Sequence, residues 1–134
     1  DRRGGNLADL AADCVVPIPM HWQRQIRRGT NSPDIVAHWL ARHLGVPVER
    51  RMLVRARATD PQADLSPQRR FENVRGAFRL RANYDLGGTR VLLVDDIMTT
   101  GATCSEAAKV LRKAGAESVF AAVVARTLGP DAEA

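Results

Sequence analysis

Two kinds of hydrophobic pattern follow one another along the chain. Three short apolar runs, at 13–18, 91–94 and 118–124, lie between Gly, Pro or polar residues, which is typical of buried β-strands. Two longer stretches, 32–44 and 102–114, repeat their apolar residues at helical spacing. Because strands alternate with helices and the apolar residues are mainly Ala, Val and Leu, we predict an α/β domain. Its helices would flank an open, mostly parallel twisted sheet.

The helical stretches have recognisable ends and faces. Asn31 or Ser32 as N-cap, followed by Pro33, is a typical helix start, and Gly45 and Gly115 end the two helices. We expect the first helix to face the core with Ile35, Val36, Trp39, Leu40 and either His43 or Leu44. We expect the second to do so with Cys104, Ala107, Ala108, Leu111 and Ala114.

The middle of the chain has a weaker pattern. The pattern at 46–54 predicts a second strand with Leu53 inward. The pattern at 76–78 predicts a short strand at the edge of the same sheet. Between them, residues 55–78 are rich in Arg and have no apolar stripe. So long a connection is either disordered or a functional lid.

Composition limits the possible classes of protein. With 134 residues, 45% of them hydrophobic, we predict one domain at 13–134 after a partial N-terminal segment, 1–12. The chain starts without Met, so we expect either a fragment or a disordered start. It has neither a signal-peptide pattern nor a run of eighteen apolar residues, which favours a cytoplasmic protein with Cys14 and Cys104 as reduced core thiols. A net charge of +5 favours polyanionic partners.

The stretch from Arg90 to Thr103 contains the candidate chemistry. A buried strand leads into two carboxylates, Asp95 and Asp96, then a Thr- and Gly-rich loop, then a helix. Backbone N–H groups and the helix dipole favour an anion at such a helix start, and Gly101 allows close approach. The carboxylates suit vicinal hydroxyls or a divalent cation. This order of groups predicts a sugar phosphate as ligand.

Two other interpretations of this stretch are possible. Thr99 or Thr100 could be a plain N-cap with no ligand, but that leaves two adjacent carboxylates at a buried strand end unexplained. An acidic pocket of the response-regulator type would need further residues that the sequence does not show.

A cationic stretch, 21–31, directly follows the first strand. Ligands collect at the carboxyl ends of parallel strands, so we expect Arg24, Arg27 and Arg28 to face the same crevice as Asp95 and to neutralise a pyrophosphate. The alternative is a solvated basic loop.

The run Val-Leu-Leu-Val-Asp-Asp-Ile-Met-Thr-Thr-Gly-Ala-Thr, 91–103, resembles the signature of type I phosphoribosyltransferases. These enzymes bind 5-phosphoribosyl-1-pyrophosphate (PRPP). The resemblance implies that Asp95 and Asp96 are catalytic residues that bind the ribose hydroxyls and associate with Mg²⁺. It also implies a PRPP-binding loop of Ile97, Met98, Thr99, Thr100, Gly101, Ala102 and Thr103.

Further blocks narrow the resemblance to the ComF (competence protein F) branch. They are Pro17-Ile-Pro-Met-His21 with Arg24 and Arg28, then Arg55-x-Arg57-x-Thr59-x-x-Gln62, then Arg70-x-x-Asn73 leading to Phe78. The branch implies a cytoplasmic, possibly dimeric protein linked to natural competence and DNA uptake. Arg24, Arg28, Arg55 and Arg70 would contact pyrophosphate or form the lid.

The activity implied is transfer of a phosphoribosyl group to a nitrogen nucleophile such as a nucleobase, with Mg²⁺-assisted release of pyrophosphate. Asp96 is the available candidate for a general base. The alternative is a PRPP or nucleotide sensor, or a nucleic-acid-binding accessory factor, because loop cations serve either anion equally.

Overall fold

The computed structural model describes residues 7–19, 32–57, 66–82, 84–98 and 101–126. Strand residues 96–98 and 124–126 are described by their backbone alone. The elements in chain order are a 3-10 turn (Leu7–Leu10), β1 (Cys14–Pro17), α1 (Ser32–Leu44), β2 (Leu53–Arg55), α2 (Pro67–Val74), β3 (Phe78–Leu80), β4 (Arg90–Met98), α3 (Ala102–Lys113) and β5 (Ser118–Arg126).

Strands β1, β4 and β5 form a parallel sheet with β4 in the centre. Strand β1 pairs with β4 from Cys14 opposite Val91 to Pro17 opposite Val94. Strand β5 pairs with the other edge of β4, beginning with Ser118 opposite Arg90. The predicted α/β architecture with a parallel sheet and flanking helices is therefore confirmed.

The central strand is covered on both faces, which explains why its sequence does not alternate. Val91 and Leu93 belong to one buried cluster, which includes the inner face of α3. Leu92 and Val94 belong to a second cluster, which includes the inner face of α1. All four side chains are fully buried.

The inner face of α3 agrees with the sequence pattern, since Cys104, Ala107, Ala108 and Leu111 are buried. The helix ends before Gly115, which has a φ of +106°. A Cβ at this position would also lie 3.3 Å from the backbone nitrogen of Gly87. Glycine is therefore required both by the backbone conformation and by the close approach of the 86–88 turn.

The predicted inner face of α1 is partly wrong. Leu40 is buried as expected, but Ile35 is 57% and Trp39 is 65% exposed. The helix instead packs through the small residues Ala37 and Ala41 on either side of Leu40. Small side chains bring a helix closer to the sheet, and hydrophobicity alone did not distinguish this face from its neighbour.

The second predicted strand is also corrected. Only Leu53–Arg55 is a strand, and it pairs antiparallel with Phe78–Leu80 in a separate two-stranded sheet rather than at the edge of the main one. Val48 makes only an isolated parallel bridge to Val15. This β2–β3 pair, called the hairpin below, packs on the main core because Leu53 and Phe78 lie in the same cluster as Leu93.

Helix α2 lies within the Arg-rich stretch whose pattern predicted no helix. The Ser66 side chain caps it by accepting a hydrogen bond from the backbone N–H of Arg69 at 3.3 Å, and Pro67 occupies the first turn. Val74 is its buried residue. The Ser-Pro pair was the available sequence signal for this helix, because one buried residue cannot produce a stripe.

Candidate ligand site at the carboxyl edge of the sheet

The carboxyl ends of β1 and β4 lie side by side. Pro17 is opposite Val94, and the backbone N–H of Ile18 donates to the carbonyl of Val94 at 2.8 Å. The next residue on β4, Asp95, is half-buried at this edge. Pairing with β5 continues beyond the predicted strand end, to Met98 opposite Arg126, so Asp95 and Asp96 belong to the strand itself.

The loop after β4 enters α3 through a glycine. Gly101 is the N-cap residue with a φ of +83°, and its carbonyl accepts from the N–H of Ser105 at 2.8 Å. Other residues are strained in this conformation. The plain N-cap interpretation is therefore wrong, because neither Thr99 nor Thr100 occupies the capping position. Of the predicted loop, Thr99 and Thr100 lie outside the described residues.

The charge of Asp95 acts on the Cys104 thiol in the first turn of α3. Burial raises the pKa of the Cys104 thiol to about 12, and the charge of Asp95 contributes in the same direction. Ala102 is buried and Thr103 half-buried in the same turn. The tertiary structure thus brings a carboxylate and a helix N-terminus together. This arrangement suits a ligand with hydroxyls next to a phosphate.

Two of the four predicted pyrophosphate or lid arginines, Arg24 and Arg28, lie outside the described residues. Arg70 is half-buried on α2. Arg55 is half-buried on β2, and its Nε donates to the carbonyl of Pro19 at 2.9 Å. Its guanidinium carbon lies 5.1 Å from the ring centroid of Phe78. Arg55 therefore reaches the exit of β1, the strand that ends beside Asp95.

Two side chains that bind backbone groups around the end of α2, Arg57 and Glu106, were not among the predicted site residues. The Arg57 guanidinium donates to the carbonyls of Arg75, at 3.2 Å from Nε, and Asn73, at 2.7 Å from Nη2. The Glu106 carboxylate on α3 accepts from the N–H of Gly76 at 3.1 Å. Arg57 belongs to the ComF-like motif, but nothing in the sequence indicated that its partners would be carbonyls around the end of α2.

The residues that the structure describes contain no group of three His, Cys, Asp or Glu side chains suited to a metal ion. This does not conflict with Mg²⁺, which usually takes one or two protein carboxylates and completes its shell with water and ligand phosphates. Asp95 at the sheet edge, followed directly by Asp96, fits that requirement.

Comparison with known proteins identifies the fold. Residues 35–132 match the family described as the phosphoribosyl transferase domain. This range includes Asp95, Gly101 and the whole of α3. The chain belongs to this family. The expected type I phosphoribosyltransferase fold is confirmed.

Curated relatives confirm the resemblance to the ComF branch. Competence protein F of Haemophilus influenzae is 37% identical over 108 residues, which cover 80% of this chain and 47% of the relative. The DNA utilization protein YhgH of Salmonella typhi is 37% identical over 116 residues, covering 87% of this chain and 50% of the relative. The chain thus spans about half the length of these relatives.

A solved structure agrees with this assignment. The glutamine PRPP amidotransferase of B. subtilis aligns with a TM-score of 0.56 and 26% identity, covering 84% of this chain and 22% of that one.

None of the helices within the described ranges is long and apolar enough to cross a membrane.

Proposed function

We propose that this domain binds PRPP at the carboxyl edge of the β1–β4 pair and transfers its phosphoribosyl group to a nitrogen nucleophile. The observation that carries the proposal is that β4 passes through Asp95 at the carboxyl edge of the sheet and the chain then enters α3 through Gly101, with α3 packed on the same strand. A carboxylate repels phosphate but accepts hydrogen bonds from hydroxyls, whereas the helix start favours an anion. PRPP presents both groups in that order. The 26% identity to a PRPP amidotransferase supports the same ligand.

In this proposal each part of the site has a separate task. The loop 97–103 holds the 5-phosphate, with Gly101 allowing close backbone approach. Asp95 and Asp96 orient the ribose through its hydroxyls. Arg24 and Arg28 follow β1 in the chain and would bear charge on the pyrophosphate. Bound Mg²⁺, held by Asp95 and Asp96 through water or the ribose hydroxyls, would supply further neutralisation of the leaving group.

The reaction breaks the bond between the anomeric carbon and the pyrophosphate oxygen and forms a carbon–nitrogen bond in its place. Pyrophosphate leaves with the bonding electron pair, and the nucleophile loses a proton, for which Asp96 is the proposed acceptor. A nucleobase is the proposed acceptor substrate. The relatives' names, Competence protein F and DNA utilization protein, connect the proposal to competence and DNA utilization. We place the reaction in the cytoplasm, where the buried thiols of Cys14 and Cys104 stay reduced.

A second candidate is a non-catalytic nucleic-acid-binding role. The net charge of +5 and a pI near 10.2 favour it. The two candidates differ in their dependence on ions. DNA binding weakens steeply with salt and has no need of a metal, whereas PRPP binding in the proposed site depends on Mg²⁺.

The first test is calorimetric titration with PRPP in the presence and absence of Mg²⁺. It compares the wild type with an Asp95→Asn/Asp96→Asn double variant. Glu117→Gln is the matched control, because Glu117 is an exposed carboxylate that pairs with Arg90 at the start of β4, remote from the site. We expect Mg²⁺-dependent binding that only the double variant loses. Binding without Mg²⁺, or unchanged binding by the double variant, would contradict the proposed site.

Retention of catalysis is tested separately by release of pyrophosphate from PRPP with single nucleobases. If PRPP binds but no base supports turnover, the sensor role replaces the transferase. If PRPP does not bind but single-stranded DNA does, with a steep salt dependence, the nucleic-acid role is favoured.

A further inference from the structure

Positive charge is concentrated in one part of the molecule, the hairpin together with helix α2. The described ranges that contain these elements, 46–57 and 66–82, have nine arginines, no lysine and two glutamates. Their formal net charge is +7, whereas that of the whole chain is +5, so the other residues together are net negative. Such a distribution favours contact with a polyanion at one surface rather than over the whole protein.

Three exposed arginines lie on the outer side of the hairpin. Phe78 of β3 lies in the core, whereas Arg79 and Arg81 lie on the opposite side of the strand direction and are exposed. The Nε of Arg81 donates to the carbonyl of Arg51 at 2.9 Å, which brings the exposed Arg51 next to it. Arg51, Arg79 and Arg81 therefore share one surface.

Acidic side chains do not offset the charge of this surface. Within the ranges that the structure describes, no Asp or Glu forms an ion pair with Arg51, Arg79 or Arg81, nor with the exposed Arg75 that ends α2. The partner of the Arg81 side chain is a carbonyl, which has no net charge. The positive charge of these guanidinium groups therefore remains available to phosphate oxygens, which suit their planar geometry.

An exposed aromatic ring lies on α2 next to Arg75. Phe71 is 46% exposed, although Val74 of the same helix is buried in the core. Phe71 and Arg75 are four residues apart, the spacing that makes side chains neighbours along a helix. Exposed rings next to cations bind single-stranded nucleic acid, because unpaired bases stack on the ring while phosphates contact the cations. A duplex keeps its bases stacked inside, so it cannot use the ring in this way.

We propose that single-stranded nucleic acid binds to the surface formed by Arg51, Phe71, Arg75, Arg79 and Arg81, called the arginine surface below. The guanidinium groups contact its phosphates, and one base stacks on Phe71. The inference deepens the nucleic-acid-binding role named above as the second candidate, but it does not require the loss of PRPP binding. The hairpin forms a sheet of its own, separate from the three-stranded sheet that carries the PRPP site.

The first experiment tests the arginines by fluorescence anisotropy with a labelled single-stranded oligothymidylate at several salt concentrations. It compares the wild type with Arg75→Gln/Arg79→Gln. The matched control is Arg112→Gln/Lys113→Gln, which removes the same charge from exposed positions of α3. We expect the first variant alone to bind about tenfold more weakly, with a salt slope lower by about 1.4 for two lost phosphate contacts. Equal losses in both variants would show that only net charge matters and would overturn the proposal.

The second experiment tests the aromatic ring with the same oligonucleotide. Phe71→Leu keeps an apolar side chain but removes the ring, and Phe120→Leu is the control at an exposed phenylalanine of β5. We expect Phe71→Leu to weaken binding by about tenfold without changing the salt slope, because stacking does not involve a phosphate charge. The control should bind as the wild type does. Unchanged affinity in a folded Phe71→Leu protein, with folding checked by thermal unfolding, would overturn the proposal.

Competition identifies the class of polyanion. We expect an unlabelled single strand to displace the probe at much lower concentration than a duplex of the same length or polyglutamate. Displacement by polyglutamate at the same concentration of charge would indicate an acidic protein partner and would overturn the proposal.

Titration with PRPP and Mg²⁺ separates this inference from the proposed function. We expect Arg75→Gln/Arg79→Gln to bind PRPP as the wild type does. An equal loss of PRPP and oligonucleotide binding would mean one shared site and would overturn the separate surface. If the wild type binds the oligonucleotide but not PRPP, the proposed function fails and this inference stands. If it binds PRPP but not the oligonucleotide, the inference fails alone.

Discussion

Apolar burial holds both the parallel half of the molecule (β1, β4, β5, α1 and α3) and the hairpin half (β2, α2 and β3), but the hairpin half adds a second kind of contact. In the parallel half, β4 has four consecutive fully buried side chains, and helices cover both faces. In the hairpin half the strands have three residues each, and α2 has one buried residue, Val74. There, in addition to the buried side chains of Leu53 and Phe78, arginine side chains donate to backbone carbonyls.

This difference has a functional meaning. Burial of apolar surface has no direction, so it stabilises the sheet without specifying the position of any one polar group. Hydrogen bonds to carbonyls are directional, so Arg55 and Arg57 specify where their partners lie. The parallel half thus supplies a rigid frame for Asp95 and Gly101, while arginines of the hairpin half hold the carbonyls of Pro19, Asn73 and Arg75.

The largest predicted effect concerns the thiol of Cys104. Burial, followed by the charge of Asp95, raises its pKa to about 12 from 9.0. At about pH 8 the thiolate fraction is therefore about a thousandfold lower than that of an unfolded chain. In a Cys14→Ser background, we expect alkylation of Cys104 to require global unfolding. Fast alkylation under native conditions would show that the parallel half is not the rigid frame inferred here.

The same pKa has a consequence for stability in alkaline solution. The folded protein holds the Cys104 proton more tightly than the unfolded chain, so the stabilisation is complete below pH 9.0 and is lost as the pH rises toward about 12. Urea denaturation should show the free energy of unfolding falling over this range. The fall should be smaller in Cys104→Ala, whereas an equal fall would contradict the assignment.

Substitutions that remove a large apolar side chain should lower the free energy of unfolding more in the parallel half than in the hairpin half. Leu93→Ala removes a fully buried side chain from β4, and we expect it to lower the free energy of unfolding by about 3 kcal/mol. Leu80→Ala, at a half-buried position of β3, should lower it by about 1 kcal/mol. Chemical denaturation measures both. Equal losses would mean that burial holds the hairpin half as firmly as the sheet.

Loss of the paired hydrogen bonds from the Arg57 guanidinium should lower the free energy of unfolding less. Arg57→Lys removes the paired contacts to the carbonyls of Asn73 and Arg75, and we expect a loss of about 1 kcal/mol, since each exposed hydrogen bond contributes little. Arg51→Lys, at another exposed arginine in the chain before β2, is the control and should have no measurable effect. Hydrogen exchange should locate the Arg57 effect in α2, and a change spread over β4 would argue against a local clamp.

The smallest predicted effect is local to α2. Ser66→Ala removes the side chain that caps this helix, and we expect about 0.5 kcal/mol of local destabilisation, seen as faster amide exchange in 67–74. Ser105→Ala, at an exposed position in the first turns of α3, serves as the control. If the two substitutions change exchange equally, the cap does not hold α2.

Local pattern was enough to predict the parallel half. An apolar run covered on both faces, then carboxylates, then a glycine loop and an amphipathic helix has few alternative structures, because every step uses neighbouring residues. The face of α1 was less predictable, since Trp39 is apolar but is 65% exposed. The docking of Ala37 and Ala41 against the sheet determined the inner side, and that contact involves residues far apart in sequence.

By itself, the sequence determined the strand–loop–helix signature, the family and the residues that could carry the chemistry, because these depend on local order. The tertiary structure decided which residues act together. It placed Pro19 within reach of Arg55, 36 positions away, and Gly76 within reach of Glu106, 30 positions away. Backbone carbonyls and amides are the partners in both cases. Every residue has such groups, so no sequence pattern marks which of them a side chain will bind.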